Sequence, residues 1–279
     1  MKAMRALLLK SSLLLLASTG PVFAGGESTE TETQGSTAVD TALTESSVNE
    51  PVVNEADLVL APFRLEFELK AFGLSGESII ELTRSGNPEN YQYEYSSVTQ
   101  AKGMAKLIRP NAATETSRFE MRGQQIYVDE YRVDSGSGDP EEDSYARFDW
   151  NLGIAFSNHQ EERVDVLIED GVLDRSSADL QVSIDLQNGR EPVEYDMVHR
   201  NQVKTYQFYR EGEETIETKA GSFETIKYLR QRKGSSRSAY IWYAPALDYQ
   251  PVKVIQLKDG KSRGTLLLSG YQMPGLGNR

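Results

Sequence analysis

Histidine, the side chain best suited to moving protons near neutral pH, occurs twice, at His159 and His199. The two are far apart in sequence, and no H-x-x-x-H or H-E-x-x-H pairs them as metal ligands. No G-x-S-x-G elbow, Walker loop or G-x-G-x-x-G occurs either. Acids are plentiful. Glu66, Glu68, Asp149, Glu161 and Glu162 could serve envelope-polymer hydrolysis if two of them faced each other across a cleft, roughly 5–10 Å apart. The run Asp134-Ser135-Gly136-Ser137-Gly138-Asp139, followed by Glu141, Glu142 and Asp143, suggests calcium. Glycines occupy its third and fifth places, however, where an EF-hand needs oxygen ligands, so a solvated hairpin tip is the expectation. Cysteine is absent, which removes thiol catalysis, Cys-based zinc sites, disulfide exchange and lipid attachment through sulfur. No catalytic residue, metal site or cofactor is assigned.

The aromatics carry more information. Phe148-Asp149-Trp150 and Trp242-Tyr243-Ala244-Pro245 place large rings at strand ends. Packing explains such rings, but they could also rim a pocket on a curved sheet. Phe148, Trp150, Trp242 and Tyr243 are therefore the candidate ligand-binding residues, for an apolar or lipid-like ligand.

The elements that must position them are strands. Phe63, Leu65, Phe67 and Leu69 alternate with Arg64, Glu66, Glu68 and Lys70, a strand with one buried and one wet face. Tyr91, Tyr93 and Tyr95 repeat the pattern. Further strands are expected over 78–83, 118–122, 125–129, 145–150, 205–209, 215–219, 223–231, 238–243, 251–258 and 264–271. Turn chemistry separates them at Gly86-Asn87-Pro88, Glu211-Gly212-Glu213, Gly234-Ser235-Ser236 and Lys258-Asp259-Gly260. Asp174 to Leu186 alternates as a strand would, yet Leu180 and Ile184 lie one helical turn apart. Ser176 and Ser177 could cap it and Asn188-Gly189 could stop it, so a short helix is favoured. The fold class is mainly β: an antiparallel curved sheet, barrel or half-barrel, with about one short helix.

The N-terminal segment reads differently. Lys2, Arg5 and Lys10 precede an apolar run around Leu13 to Leu16, then Gly20-Pro21 and Val22-Phe23-Ala24. The pattern predicts a signal peptide over 1–24, cleaved after Ala24, and export to the periplasm. The run is too short to span a bilayer, so no stable membrane anchor is expected after cleavage. Residues 25–56 contain no aromatic or basic residue and predict a disordered acidic linker. The β domain is expected over 57–274 and a flexible tail over 275–279. Net charge is −12, and becomes −15 without Lys2, Arg5 and Lys10. Such a surface repels phosphates, so nucleic acid is excluded as a partner.

Several further segments carry a resemblance: Thr218-Lys219-Ala220-Gly221-Ser222-Phe223-Glu224-Thr225, Tyr228 and Arg230, then Trp242-Tyr243-Ala244-Pro245, Leu247 and Pro251-Val252. Upstream, Phe148-Asp149-Trp150, Ala155 and Asp174 to Gly189 continue it. Together they resemble a bacterial envelope family known as domain of unknown function 3108, over most of 61–270. The resemblance implies an exported, β-rich protein with no assigned reaction and no catalytic residues to carry over. Physically, Gly221 permits a tight turn, and Pro245 and Pro251 bracket a connection at strand edges. The expectation is a non-enzymatic periplasmic binding or accessory protein holding an apolar or lipid-like ligand. The alternative is an interaction module docking an envelope protein, and the third reading is the hydrolase.

Overall fold

The computed structural model describes residues 57–88, 90–275 and 277–278. The expected signal peptide and acidic linker lie outside the described residues. Period-two patterning dominates the remainder and produces two antiparallel meanders. The first comprises β1 (Phe63–Ala71), β2 (Leu74–Asn87), β3 (Asn90–Ala101), β4 (Ala113–Arg122), β5 (Gln125–Asp134), β6 (Ser144–Asp149), β7 (Ile154–His159) and β8 (Glu162–Leu167). A helix, α1 (Arg175–Gln187), follows. The second meander comprises β9 (Glu194–Val198), β10 (Val203–Thr218), β11 (Gly221–Gln231), β12 (Arg237–Ala244), β13 (Gln250–Lys258) and β14 (Lys261–Met273). A two-residue β15 (Gly277–Asn278), inside the expected tail, pairs with β14.

All strands form one sheet, in the order β8-β7-β6-β5-β4-β3-β2-β1-β14-β13-β12-β11-β10-β9. The meanders are fused where β1 pairs with β14. The two edges, β8 and β9, come close enough to nearly close a barrel. Leu173 forms a parallel bridge to Met197 of β9, donating to Asp196 O and accepting from Val198 N. Asn201, beyond β9, accepts from the Ser157 hydroxyl at 2.8 Å and donates to the Glu162 carbonyl at 3.1 Å. Near-closure of this kind protects edges that would otherwise pair with other chains.

The inward residues, among them Leu65, Phe67, Tyr95, Phe119, Ile126 and Val128, surround α1, which occupies part of the interior. Burial on nearly every side explains its ambiguous sequence pattern. A helix inside a barrel has no wet face to create an amphipathic stripe. Several of its buried polar groups are engaged. Gln181 accepts from Ile126 N and donates to Gln124 O, and the Ser183 hydroxyl donates to Tyr249 O. The cap is Asp174, not the expected Ser176 or Ser177. Its carboxylate accepts from both serine amides, while Ser177 Oγ accepts from Asp174 N.

Other expectations change with the sheet. The strands expected over 205–209 and 215–219 are one strand, β10. Glu211-Gly212-Glu213 is not a turn but the site of a β-bulge, with Gly212 at φ +142° and Glu211 opposite no partner. Pro251 is not at an edge: it lies in central β13, tolerated because register shifts beside its partner Tyr243. Strands β7, β8 and β9 escaped the sequence reading because they are short and carry mixed polarity.

Candidate functional site

The sheet's curvature around α1 leaves a cavity of about 280 Å³. Its wall is built by register. Leu69 of β1 faces Leu266 of β14, Leu266 faces Val254 of β13, and Val254 faces Ile241 of β12, a continuous apolar rung across four strands. Phe67 and Ile80 extend it, and Ser78, Ser97 and Thr99 add a narrow polar strip. The Ser78 and Thr99 hydroxyls bond to each other at 2.9 Å, which leaves that strip largely self-satisfied.

The floor is ionic. Arg175, at the start of α1, makes a two-pronged pair with Glu115 of β4, and its Nε lies 3.0 Å from Glu115 Oε1. The Tyr131 hydroxyl donates to the same carboxylate oxygen at 2.5 Å. Arg230 of β11 pairs with Asp179 of α1. Glu115 and Arg175 are 2% and 6% exposed, so the pair is removed from water, and each charge requires the other. Both cavity carboxylates are committed to arginines, an arrangement that fixes α1 instead of leaving an acid poised for proton transfer.

Above the floor lies Tyr243, 1% exposed, whose hydroxyl has no hydrogen-bond partner among the described residues. Burial pushes its phenol well above the usual range, so it is neutral. The open end is rimmed by Phe72, Arg237, Lys258 and Arg263, from the turns and strand ends of β1–β2, β11–β12 and β13–β14. Arg263 stacks over the Phe72 ring, 6.0 Å from its centroid.

Of the four sequence candidates, Tyr243 lines this cavity and the others lie elsewhere. Trp242 points to the opposite face of β12, where its indole N–H donates to Glu214 at 2.6 Å and the Lys227 and Lys253 ammonium groups stack on its ring. Phe148 stacks with Trp150, which also meets the edge of Tyr127, and the Trp150 N–H donates to Val128 O. These rings serve packing, and they do not form one mouth with Tyr243. Adjacent residues on a strand face opposite ways, which separates Trp242 from Tyr243 by construction.

None of the five candidate carboxylates lines the cavity. Glu66 pairs with Arg64 and Glu68 with Lys219 on the wet face of β1, and Asp149 accepts from Leu152 N. The acidic loop is tied to itself: Asp134 accepts from Gly136 N, Asp143 from Ser135 N, and Asp139 from Glu141 N. Among the described residues no group of three acidic or imidazole side chains is placed to hold a metal. Both histidines are buried and their affinity for protons is lowered by desolvation; His159 Nδ1 lies 3.0 Å from the Asp143 carbonyl. Sequence reading missed Glu115, Arg175 and Asp179, and met Arg230, which is 4% exposed, as one of the residues of the family resemblance. The available signal was the placement of charges at inward positions of alternating strands, as with Glu115 between Ala113 and Ser117.

Comparison with known proteins yields fold relatives and a family. No curated protein matches the chain. A β-barrel-like protein of domain of unknown function DUF1849 from Brucella abortus aligns at TM-score 0.49 and 10% identity, covering 78% of this chain and 100% of that one. A Bacteroides fragilis protein described as exported, with a YmcC-like fold, aligns at TM-score 0.32 and 9% identity, covering 75% and 95%. A protein from Parabacteroides distasonis described as a lipoprotein aligns at TM-score 0.31 and 13% identity, covering 77% and 96%. The family described as protein of unknown function DUF3108 matches residues 63–267, the span from the first strand to the cavity-wall strand β14, and the chain belongs to that family.

Proposed function

We propose that this protein is a non-enzymatic binding module of the bacterial cell envelope, working in the periplasm, that holds one apolar or lipid-like ligand in the cavity floored by α1. The observation that carries the reading is the cavity itself: an apolar rung across four strands, beside a buried hydroxyl without a partner. A filled core would use those positions for packing, and an orphaned buried hydroxyl costs about 1–3 kcal/mol unless something satisfies it. The tripartite pattern of residues 1–24 supports export.

Native mass spectrometry of protein purified from the periplasm without detergent tests this reading, with Leu266→Trp as the cavity-filled comparison. A reproducible adduct on the wild type that Leu266→Trp lacks supports it. A bare mass, together with no response from an apolar fluorescent probe, removes its basis. Weight would then move to partner docking, which one other feature favours. Met104, Leu107 and Ile108, in the β3–β4 connection, are 74%, 78% and 62% exposed, a local cluster of the kind found at interaction surfaces.

A further inference from the structure

The charges at the cavity mouth specify the ligand further, on the premise that the cavity holds one. We infer that the ligand is a single-chain amphiphile with an anionic headgroup, the headgroup bound at the rim by Arg237, Lys258 and Arg263 and the chain running down the apolar wall.

Three observations converge. First, Arg237 and Lys258 are direct cross-strand partners, a like-charge pairing that destabilises a sheet when nothing neutralises it. Both line the cavity, as does Arg263, and none of the three pairs with a carboxylate among the described residues. Asp259 acts on Arg237, but its effect is smaller than that of burial and of the neighbouring Arg263. A chain with net charge −12 therefore gathers three cations at the entrance to its cavity.

Second, polarity changes along the wall in the order an amphiphile requires. On β12, the inward residues from the rim are Arg237, Ala239, Ile241 and Tyr243; on β13 they are Lys258, Gln256 and Val254. Cations lead to apolar surface over roughly 20 Å of strand. Third, the volume, about 280 Å³, lies just below the range of roughly 300–1,000 Å³ typical of small-molecule sites, which suits one chain and not two.

Carboxylates and phosphates share the chemistry that arginine recognises, so both are tested. Binding of laurate, dodecyl phosphate, dodecanol and dodecyltrimethylammonium is measured by calorimetry below their micelle concentrations. Laurate, dodecyl phosphate or both should bind at least about tenfold tighter than dodecanol and the cation, with the advantage shrinking as salt is added. The preferred anion names the headgroup. Arg237→Gln/Arg263→Gln should abolish the advantage while leaving dodecanol binding intact. Lys258→Gln gives an independent readout. It should raise Tm, by relieving the like-charge pair, and weaken laurate binding, opposite signs that a merely structural lysine would not produce. Binding of laurate and of dodecyl phosphate no tighter than that of dodecanol to the wild type overturns the headgroup inference and leaves the cavity reading standing. No binding of any probe to folded protein overturns both.

Discussion

Tyr243 is a residue whose cost and use can be measured separately. Its buried hydroxyl has no partner among the described residues, so Tyr243→Phe removes an unsatisfied polar atom with little change of shape. The expected result is a ligand-free protein more stable by about 1 kcal/mol in urea unfolding. A loss of more than that amount would mean that the hydroxyl is satisfied in the folded protein. Glu115 presents the opposite case. Glu115→Ala strands the buried Arg175 guanidinium and should cost about 3–5 kcal/mol, whereas Glu115→Leu with Arg175→Met should recover most of it. A double-mutant cycle that found the two effects additive would contradict that pairing. Asp174 adds a pH signature. Burial raises its carboxyl to about 6, against the pull of the Ser117 and Ser177 hydrogen bonds. The folded state then binds a proton more tightly than the unfolded state. The favourable contribution is complete below the unfolded value of 3.8 and is lost as pH rises through about 6. Asn caps a helix as well as Asp, so Asp174→Asn should become more stable relative to wild type by about 3 kcal/mol between acid and neutral pH. The two histidines act with the opposite sign and are common to both proteins, so they cancel in the comparison.

At the scale of elements, the strands were legible wherever one face is wet, because solvent imposes alternation. Phe63 to Lys70 and Tyr91 to Ser96 are the clear cases, and both lie within β1 and β3. Legibility failed where both sides are buried or where register, not composition, decides. Nothing in the sequence of α1 shows that Gln181 and Ser183 face protein instead of water. Nothing in the separate sequences of β12 and β13 shows that Arg237 will stand opposite Lys258. The cavity belongs to this second kind, since its wall is assembled from residues far apart in the chain, and only Tyr243 was reachable from the aromatic pattern. Gly212 shows how a turn signal can mislead. Glycine at φ +142° serves a bulge as readily as a turn, and the pairing on both sides continues through it. Gly212→Val should therefore cost about 1–3 kcal/mol through backbone strain, since no atom crowds the position and sterics add little. Equilibrium unfolding of that variant checks the value, and an unchanged midpoint would show that the bulge relaxes.

For the whole molecule, the question is whether two meanders make one folding unit. Among the described residues their only extended strand contact is β1 with β14, and a sheet so organised could unfold in halves. Against that stands α1, which is bonded to both. It meets the first meander through Glu115, Gln124 and Ile126, and the second through Arg230 and Tyr249. A half that opened would leave a buried arginine or carboxylate of the other half, or of α1, without its partner, at a cost of several kcal/mol. The energetic logic favours a single transition. The protein carries its own probes, because its two tryptophans fall one in each meander: Trp150 just after β6, and Trp242 in β12. Trp150→Phe leaves a fluorophore that reports on the second half, and Trp242→Phe leaves one that reports on the first. Within each variant, fluorescence and far-ultraviolet circular dichroism should give the same denaturant midpoint and the same slope, as one cooperative unit requires. Comparing the two signals inside one variant removes any stability change that the substitution itself introduces. Separated midpoints in either variant would mean that α1 stays with one meander while the other opens, and the cavity between them would then be a hinge.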